Sequence, residues 1–185
     1  MSKRNKDSIL DYKSEPLDKI VNYLVSYHHA YVVEQTPKIN RHFELAEIEF
    51  AGLYPELVEL KMLFENLSKD LIKHMKKEEQ ILFPYIKNLA LLHRENLEFN
   101  LPIFKTVKNP IKMMELEHQS VSDDIIKLTV LSNNFLPPKR TGKIGPLLFN
   151  ELKDFSEDFY RHIEIEDGIL FPRAVQLEQK FTKFN

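Results

Sequence analysis

His74-Met75-Lys76-Lys77-Glu78-Glu79-Gln80-Ile81-Leu82-Phe83-Pro84 recurs further along the chain as His162-Ile163-Glu164-Ile165-Glu166-Asp167-Gly168-Ile169-Leu170-Phe171-Pro172. In each copy a Glu stands four residues after the His, an acidic residue follows it, and Ile-Leu-Phe-Pro closes the segment at the same offset. Residues i and i+4 share one face of a helix, so each copy aims an imidazole and a carboxylate at one spot. Two such helices face to face offer two nitrogen and up to four oxygen donors, a set that suits two metal ions bridged by carboxylates. The competing reading is a pair of buried Glu–His ion pairs. It requires two costly burials of ionisable groups without compensation, which a pair of cations would supply.

Outward from the repeat, the chain reads as four helical segments with no convincing strand. The first starts near Ser14-Glu15-Pro16, with Ser14 as N-cap and Pro16 in the first turn. It carries Ile20, Val21, Leu24, Val25, His28, His29, Tyr31 and Val32, and Pro37 is expected to bend or end it. The second begins around Tyr54-Pro55-Glu56. Its Leu67, His74 and Ile81 are heptad-spaced, so His74 takes an inward place between apolar residues. Residues 94–109 form a long connection. Asn109-Pro110 opens the third segment, which holds His118 and stops before Leu136-Pro137-Pro138. The fourth starts near Gly145-Pro146, and its Phe155, Phe159, His162, Glu166 and Ile169 make the second inward stripe. The expected fold is all-α, an up-and-down four-helix bundle over residues 16–180, after a mixed-charge arm of residues 1–15.

Composition narrows the function classes. The 185 residues are 43% hydrophobic and 29% charged, the balance of one ordinary globular domain. A formal charge of −2 gives no reason to expect nucleic acid as a partner. The absence of cysteine excludes disulfides, Cys-ligated iron–sulfur clusters and Cys-rich structural zinc sites. No apolar stretch approaches the roughly 20 residues of a membrane span, and Met1–Leu10 lacks the apolar core of a signal peptide. A cytoplasmic protein with no membrane partner is expected.

Each helix also offers an imidazole. His118 is the one histidine of the third segment, while on the first both His28 and His29 fit an inward stripe. Four imidazoles tempered by two carboxylates suit iron, and zinc less specifically. Glu115 and Glu117 stand just before His118 and read either as solvated residues or as partners of a ligand.

These segments resemble the hemerythrin-like superfamily, closest to its di-iron proteins of iron–sulfur cluster repair. The likeness runs roughly from Pro16 to Gln179 and includes Tyr27-His28-His29-Ala30-Tyr31-Val32-Val33-Glu34-Gln35-Thr36-Pro37. The resemblance implies two irons, with His29, His74, His118 and His162 as terminal ligands and Glu78 and Glu166 as bridges. His29 is preferred over His28 by its distance from Pro37. The resemblance also implies a further ligand histidine where this chain has Phe50, so one iron is expected to have an open position, or one filled by water, His42, Glu47 or Glu49. Relatives often carry an N-terminal Cys-Cys domain, and no Cys is present here.

The implied function is a non-haem di-iron protein of nitrosative or oxidative stress, supplying iron for repair of damaged iron–sulfur centres or reacting with NO or O2. The alternatives are a reversible O2 or NO carrier or sensor, or a bundle whose metal site has partly degenerated. The partners implied are a small diatomic ligand and iron–sulfur client proteins. His42 and His93 are expected to be exposed.

Overall fold

A computed structural model of the protein describes residues 12–100 and 102–182; most of the expected N-terminal arm, residues 1–11, lies outside them. The described residues form four long helices and no strand, an all-α up-and-down bundle. The first helix packs on the second and the fourth, and the second on the third.

Three of the four helices contain a π turn. The first is α-helical over Leu17–Tyr23, π over Leu24–His29 and α again over Ala30–Phe50. The second runs Leu57–Lys77, π over Glu78–Leu82, then Phe83–Glu95. The third, Lys108–Leu131, is unbroken. The fourth runs Ile144–Ile165, π over Glu166–Leu170, then Phe171–Thr182.

Two of the π turns follow from the repeated Phe-Pro. Proline has no N–H, and its ring collides with the carbonyl four residues back in a regular α-helix. A wider turn relieves this: the N–H of Phe83 bonds to the carbonyl of Glu78, and that of Phe171 to the carbonyl of Glu166, five residues back in each case. The extra residue shifts every later side chain round the helix. Ile81, expected inside, is 52% exposed, and Leu82 is buried in its place. Leu170 likewise takes the fully buried position beside a half-buried Ile169.

Two helix-boundary expectations are corrected. Pro16, not Ser14, occupies the N-cap position, and its carbonyl accepts from the N–H groups of Lys19 and Ile20 at 3.0 and 3.2 Å. Pro37 does not end the first helix, which continues to Phe50. A proline inside a helix costs about 3 kcal/mol. Beyond it Ile39, Phe43, Ala46 and Phe50 are all buried, and each large side chain contributes about 1.5–3 kcal/mol. Burial wins.

The core is two apolar clusters with a polar layer between them. One holds Val32, Phe43, Phe64, Val121, Leu152 and Phe155. The other holds Ile20, Leu24, Phe83, Met114, Leu170 and Phe171. On each helix the step from one cluster to the other passes through buried His or Glu residues. The long connection closes one end of the bundle. Asn96 ends the second helix in the left-handed conformation (φ 51°), which Asn tolerates better than most residues. The loop is then pinned by buried Glu178, which accepts from Tyr85 Oη at 2.6 Å, Thr106 Oγ1 at 2.5 Å and the N–H of Val107 at 2.8 Å. Among the described residues three neutral donors compensate this carboxylate.

Candidate metal centre

The polar layer brings together all six residues implied by the resemblance. His29, Glu78, His162 and Glu166 each place a ligand atom within 4.8 Å of the others, and so do His74, Glu78, His118 and Glu166. The two groups share both carboxylates and divide the histidines into two pairs.

Distances show how the division works. The Nε2 atoms of His29 and His162 are 3.3 Å apart, and those of His74 and His118 are 2.9 Å apart. Glu78 sends Oε2 toward His29 (3.5 Å) and Oε1 toward His74 (3.3 Å). Glu166 sends Oε1 toward His162 (2.8 Å) and Oε2 toward His118 (3.2 Å). Each carboxylate therefore gives one oxygen to each histidine pair, and each pair of nitrogens converges on a common point.

Glu78 and Glu166 are completely buried, and the described partners of their four carboxylate oxygens are the histidine Nε2 atoms at 2.8–3.5 Å, none of them in hydrogen-bond geometry. Buried carboxylates left in this way cost several kcal/mol each unless charge compensates them. Two cations, each met by two imidazole nitrogens and two carboxylate oxygens, fit this donor set, and mixed N/O ligation without thiolate suits iron.

A second ring of carboxylates orients the imidazoles. His29 Nδ1 meets Glu79 Oε1 at 2.7 Å, His74 Nδ1 meets Glu117 Oε2 at 3.0 Å, and His118 Nδ1 meets Asp167 Oδ1 at 2.9 Å. A carboxylate at Nδ1 fixes the proton there and leaves the Nε2 lone pair facing inward, as metal ligation requires. Glu117 also pairs with Lys77. Lys77 and His74 hold the Glu117 carboxyl below the usual range, although burial acts in the opposite direction. Glu115 is exposed. Of the two acidic neighbours of His118, the one that matters serves a histidine on another helix.

Glu79 and Asp167 are the acidic residues that follow the bridging Glu in each repeat. The π turn begins at that Glu, so the second carboxylate is carried to a neighbouring ligand instead of away from the site. Replacing Glu79 or Glu117 by Ala is expected to lower ferrous-iron affinity by about 10–100-fold with the helix content unchanged. Competition with a chelator of known affinity measures this, and wild-type affinity in both variants would remove the orienting role.

Burial and carboxylates compete over the imidazole protons. Burial works to lower His118, but Asp167 and Glu166 push it up to about 10. His74 and His162 are also raised against burial, chiefly by Glu78 and Glu166 respectively. His29 goes down, through burial and the charge of His162. Burial opposes ionisation of Glu166, yet His162 and His118 hold its carboxyl far below the carboxylate range. Protons and metal cations thus compete for the same donors.

Periodicity left His28 and His29 as alternatives on the first helix, and the structure buries both at 2% exposure. The π turn over Leu24–His29 makes this possible by fitting one more residue into the turn. His29 joins the ligand cluster. His28 Nδ1 meets Asp158 Oδ2 at 3.2 Å, and its ring stacks on that of His162 at 5.6 Å. Asp158, buried one turn before His162 on the fourth helix, carried no sequence signal beyond its place in an apolar stripe.

The expectation that Phe50 stands at a ligand position is corrected. Phe50 lies at the far end of the first helix, about 30 Å from His29 at 1.5 Å per residue, and is buried in the apolar cluster beyond the polar layer. None of the proposed substitutes reaches the centre. His42 is half-buried and pairs with Glu151 at 2.5 Å, Glu47 pairs with Lys61 at 2.7 Å, and Glu49 lies against Gly142, where an added Cβ would fall 1.9 Å from its Oε1. His93 is exposed.

Among known proteins, residues 20–174 match the Hemerythrin HHE cation binding domain. The chain is similar to the Iron-sulfur cluster repair protein YtfE of Escherichia coli O81 (strain ED1a), with 30% identity over 167 residues, 89% of this chain and 69% of that protein. Against the protein of the same name from Escherichia coli O157:H7 identity is 28% over 165 residues, 89% of this chain and 69% of the relative. Against that of Yersinia pestis it is 29% over 173 residues, 91% and 70% of the two chains. Among the described residues no helix is long and apolar enough to cross a membrane.

Proposed function

The chain belongs to the hemerythrin HHE cation-binding family, and from that premise we propose that it is a di-iron protein that supplies iron for the repair of damaged iron–sulfur centres under nitrosative or oxidative stress. The observation that carries this reading is the pair of fully buried carboxylates, whose four oxygens face histidine Nε2 atoms without hydrogen-bond geometry and are divided evenly between two histidine pairs. His29 and His162 would hold one ion, His74 and His118 the other, and Glu78 and Glu166 both. The ions supply redox-active sites at which a small ligand can bind. The protein's part is to present neutral Nε2 donors, fix them through Glu79, Glu117 and Asp167, and keep the layer between two apolar clusters. The relatives' name supports iron–sulfur clients as partners.

The test is transfer. Chain loaded anaerobically with isotopically labelled ferrous iron is incubated with an iron–sulfur enzyme damaged by nitric oxide. Label is expected in the restored cluster, with recovery beyond that given by the same concentration of free ferrous salt. Recovery equal to the free salt would remove the repair role.

The donor count favours a second reading. Four protein donors per ion leave positions free in the six-coordinate geometry common for iron, which suits reversible binding of O2 or NO. A nitric oxide adduct that forms and is purged with no loss of iron would support it.

A further inference from the structure

The surroundings of the four ligand histidines are not equivalent. His29 lies against Phe83 at 5.5 Å, and His118 against Phe171 at 6.1 Å and Phe159 at 6.5 Å. Phenylalanine does not give up an electron at potentials that proteins reach. His162 differs. Its ring is stacked on His28, 5.6 Å away and only 10° from parallel. His28 in turn touches two tyrosines edge-on, Tyr23 at 5.5 Å and Tyr27 at 5.2 Å. These two are stacked on each other at 5.2 Å and 13°, and Tyr23 continues to Tyr12 at 5.5 Å. All three tyrosines are half-buried, so the outer end of the column meets solvent. Asp158 holds His28 through Nδ1 at 3.2 Å. Among the described residues a second run of ring contacts leads from a ligand toward a tyrosine, from His118 to Tyr160, and it passes through Phe159.

We propose that Tyr12, Tyr23 and Tyr27, with His28, form an electron relay that runs from the protein surface to His162 and serves the reduction of peroxide at the metal centre. This rests on the di-iron reading above. The chemistry balances with hydrogen peroxide as oxidant. Breaking its O–O bond to give two waters takes two electrons and two protons. Tyr23 and Tyr27 each lose one electron, which passes through His28 and His162, and each releases its phenolic proton to solvent, matching the two protons consumed. Two neutral tyrosyl radicals remain. A small thiol or ascorbate-class reductant then restores them, with Tyr12 as the outermost ring of contact. The imidazoles bridge the transfer and are not themselves oxidised.

The experiment uses the full chain, loaded with iron, oxidised to the ferric state, and mixed with hydrogen peroxide in the absence of reductant. Samples are freeze-quenched for electron paramagnetic resonance, and iron content is measured on the same material. A tyrosyl signal with ring-proton splitting is expected. It should be lost in the Tyr23→Phe/Tyr27→Phe double variant, which also cuts Tyr12 off from His28, and be unchanged in Tyr160→Phe. An iron-loaded wild type with no tyrosyl signal overturns the relay and leaves the di-iron reading standing. A signal that survives in the double variant at equal iron content also overturns it, because the radical then resides on another tyrosine. A chain that takes up no iron overturns the di-iron reading, and the relay falls with it.

Discussion

Glu78→Ala and Glu166→Ala are each expected to abolish stable iron binding at both positions, whereas His93→Ala keeps the wild-type content. Each of these carboxylates sends one oxygen toward each histidine pair, so removing either deprives both ions of a ligand at once. The remaining glutamate cannot compensate, because its own two oxygens are already divided. Loss of a partner that merely orients a ligand costs about 10–100-fold in affinity, and loss of the bridging ligand itself costs more. His93 is the control: it is exposed on the second helix, and its nearest ring is Phe181 at 6.2 Å. Elemental mass spectrometry on protein purified anaerobically, without added metal or a nickel column, reads the outcome. Equal iron in all three variants would sink the ligand assignment.

The second large effect is on stability. Four imidazoles and two carboxylates occupy a layer between apolar clusters, where their hydration is lost. Ions that bind the folded chain and not the unfolded one stabilise it by about 4 kcal/mol when free metal exceeds Kd about 1,000-fold. For a domain of this length each kcal/mol moves Tm by about 2–4 °C. Anaerobic addition of ferrous iron to metal-free protein should therefore raise Tm by roughly 10 °C or more, and a strong chelator should reverse the rise. Calorimetry or a circular dichroism melt measures it. The rise should be absent in Glu78→Ala. A rise of the same size in that variant would mean that iron stabilises the chain through some other site.

The fold and four of the six clustered residues, His74, Glu78, His162 and Glu166, were legible because the repeat encodes them locally; His118 was the one histidine of its segment, and His29 was implied by the family resemblance. An i,i+4 pair is a statement about one helix, and two copies in apolar stripes oblige their helices to face each other. What stayed hidden depended on departures from regular helix geometry. A heptad count placed Ile81 inside because it assumes 3.6 residues per turn throughout. The π turn over Glu78–Leu82 puts Leu82 there instead. The signal was present in Phe83-Pro84 and Phe171-Pro172, since a proline just after an inward stripe needs room behind it. No such proline marks the π turn of the first helix, so the joint burial of His28 and His29 could not be read. The Phe50 expectation failed for another reason. It transferred a ligand position by sequence alone, and the unbroken run of the first helix past Pro37 carries Phe50 far from the centre. Asp158 and Glu178 act across helices distant in sequence, where spacing carries no information, and Glu117, singled out beside His118, serves His74 on another helix for the same reason.

The pairing of histidines also says something about the chain as two halves. The first two helices form a hairpin that contributes His29, His74 and Glu78, and the last two form one that contributes His118, His162 and Glu166. Each histidine pair takes one member from each hairpin, and within each pair one histidine comes from the repeated motif and one stands alone. Neither hairpin can close a site by itself. Two ions held in this way would be twin clasps between the hairpins, and giving up iron would unfasten one half of the molecule from the other.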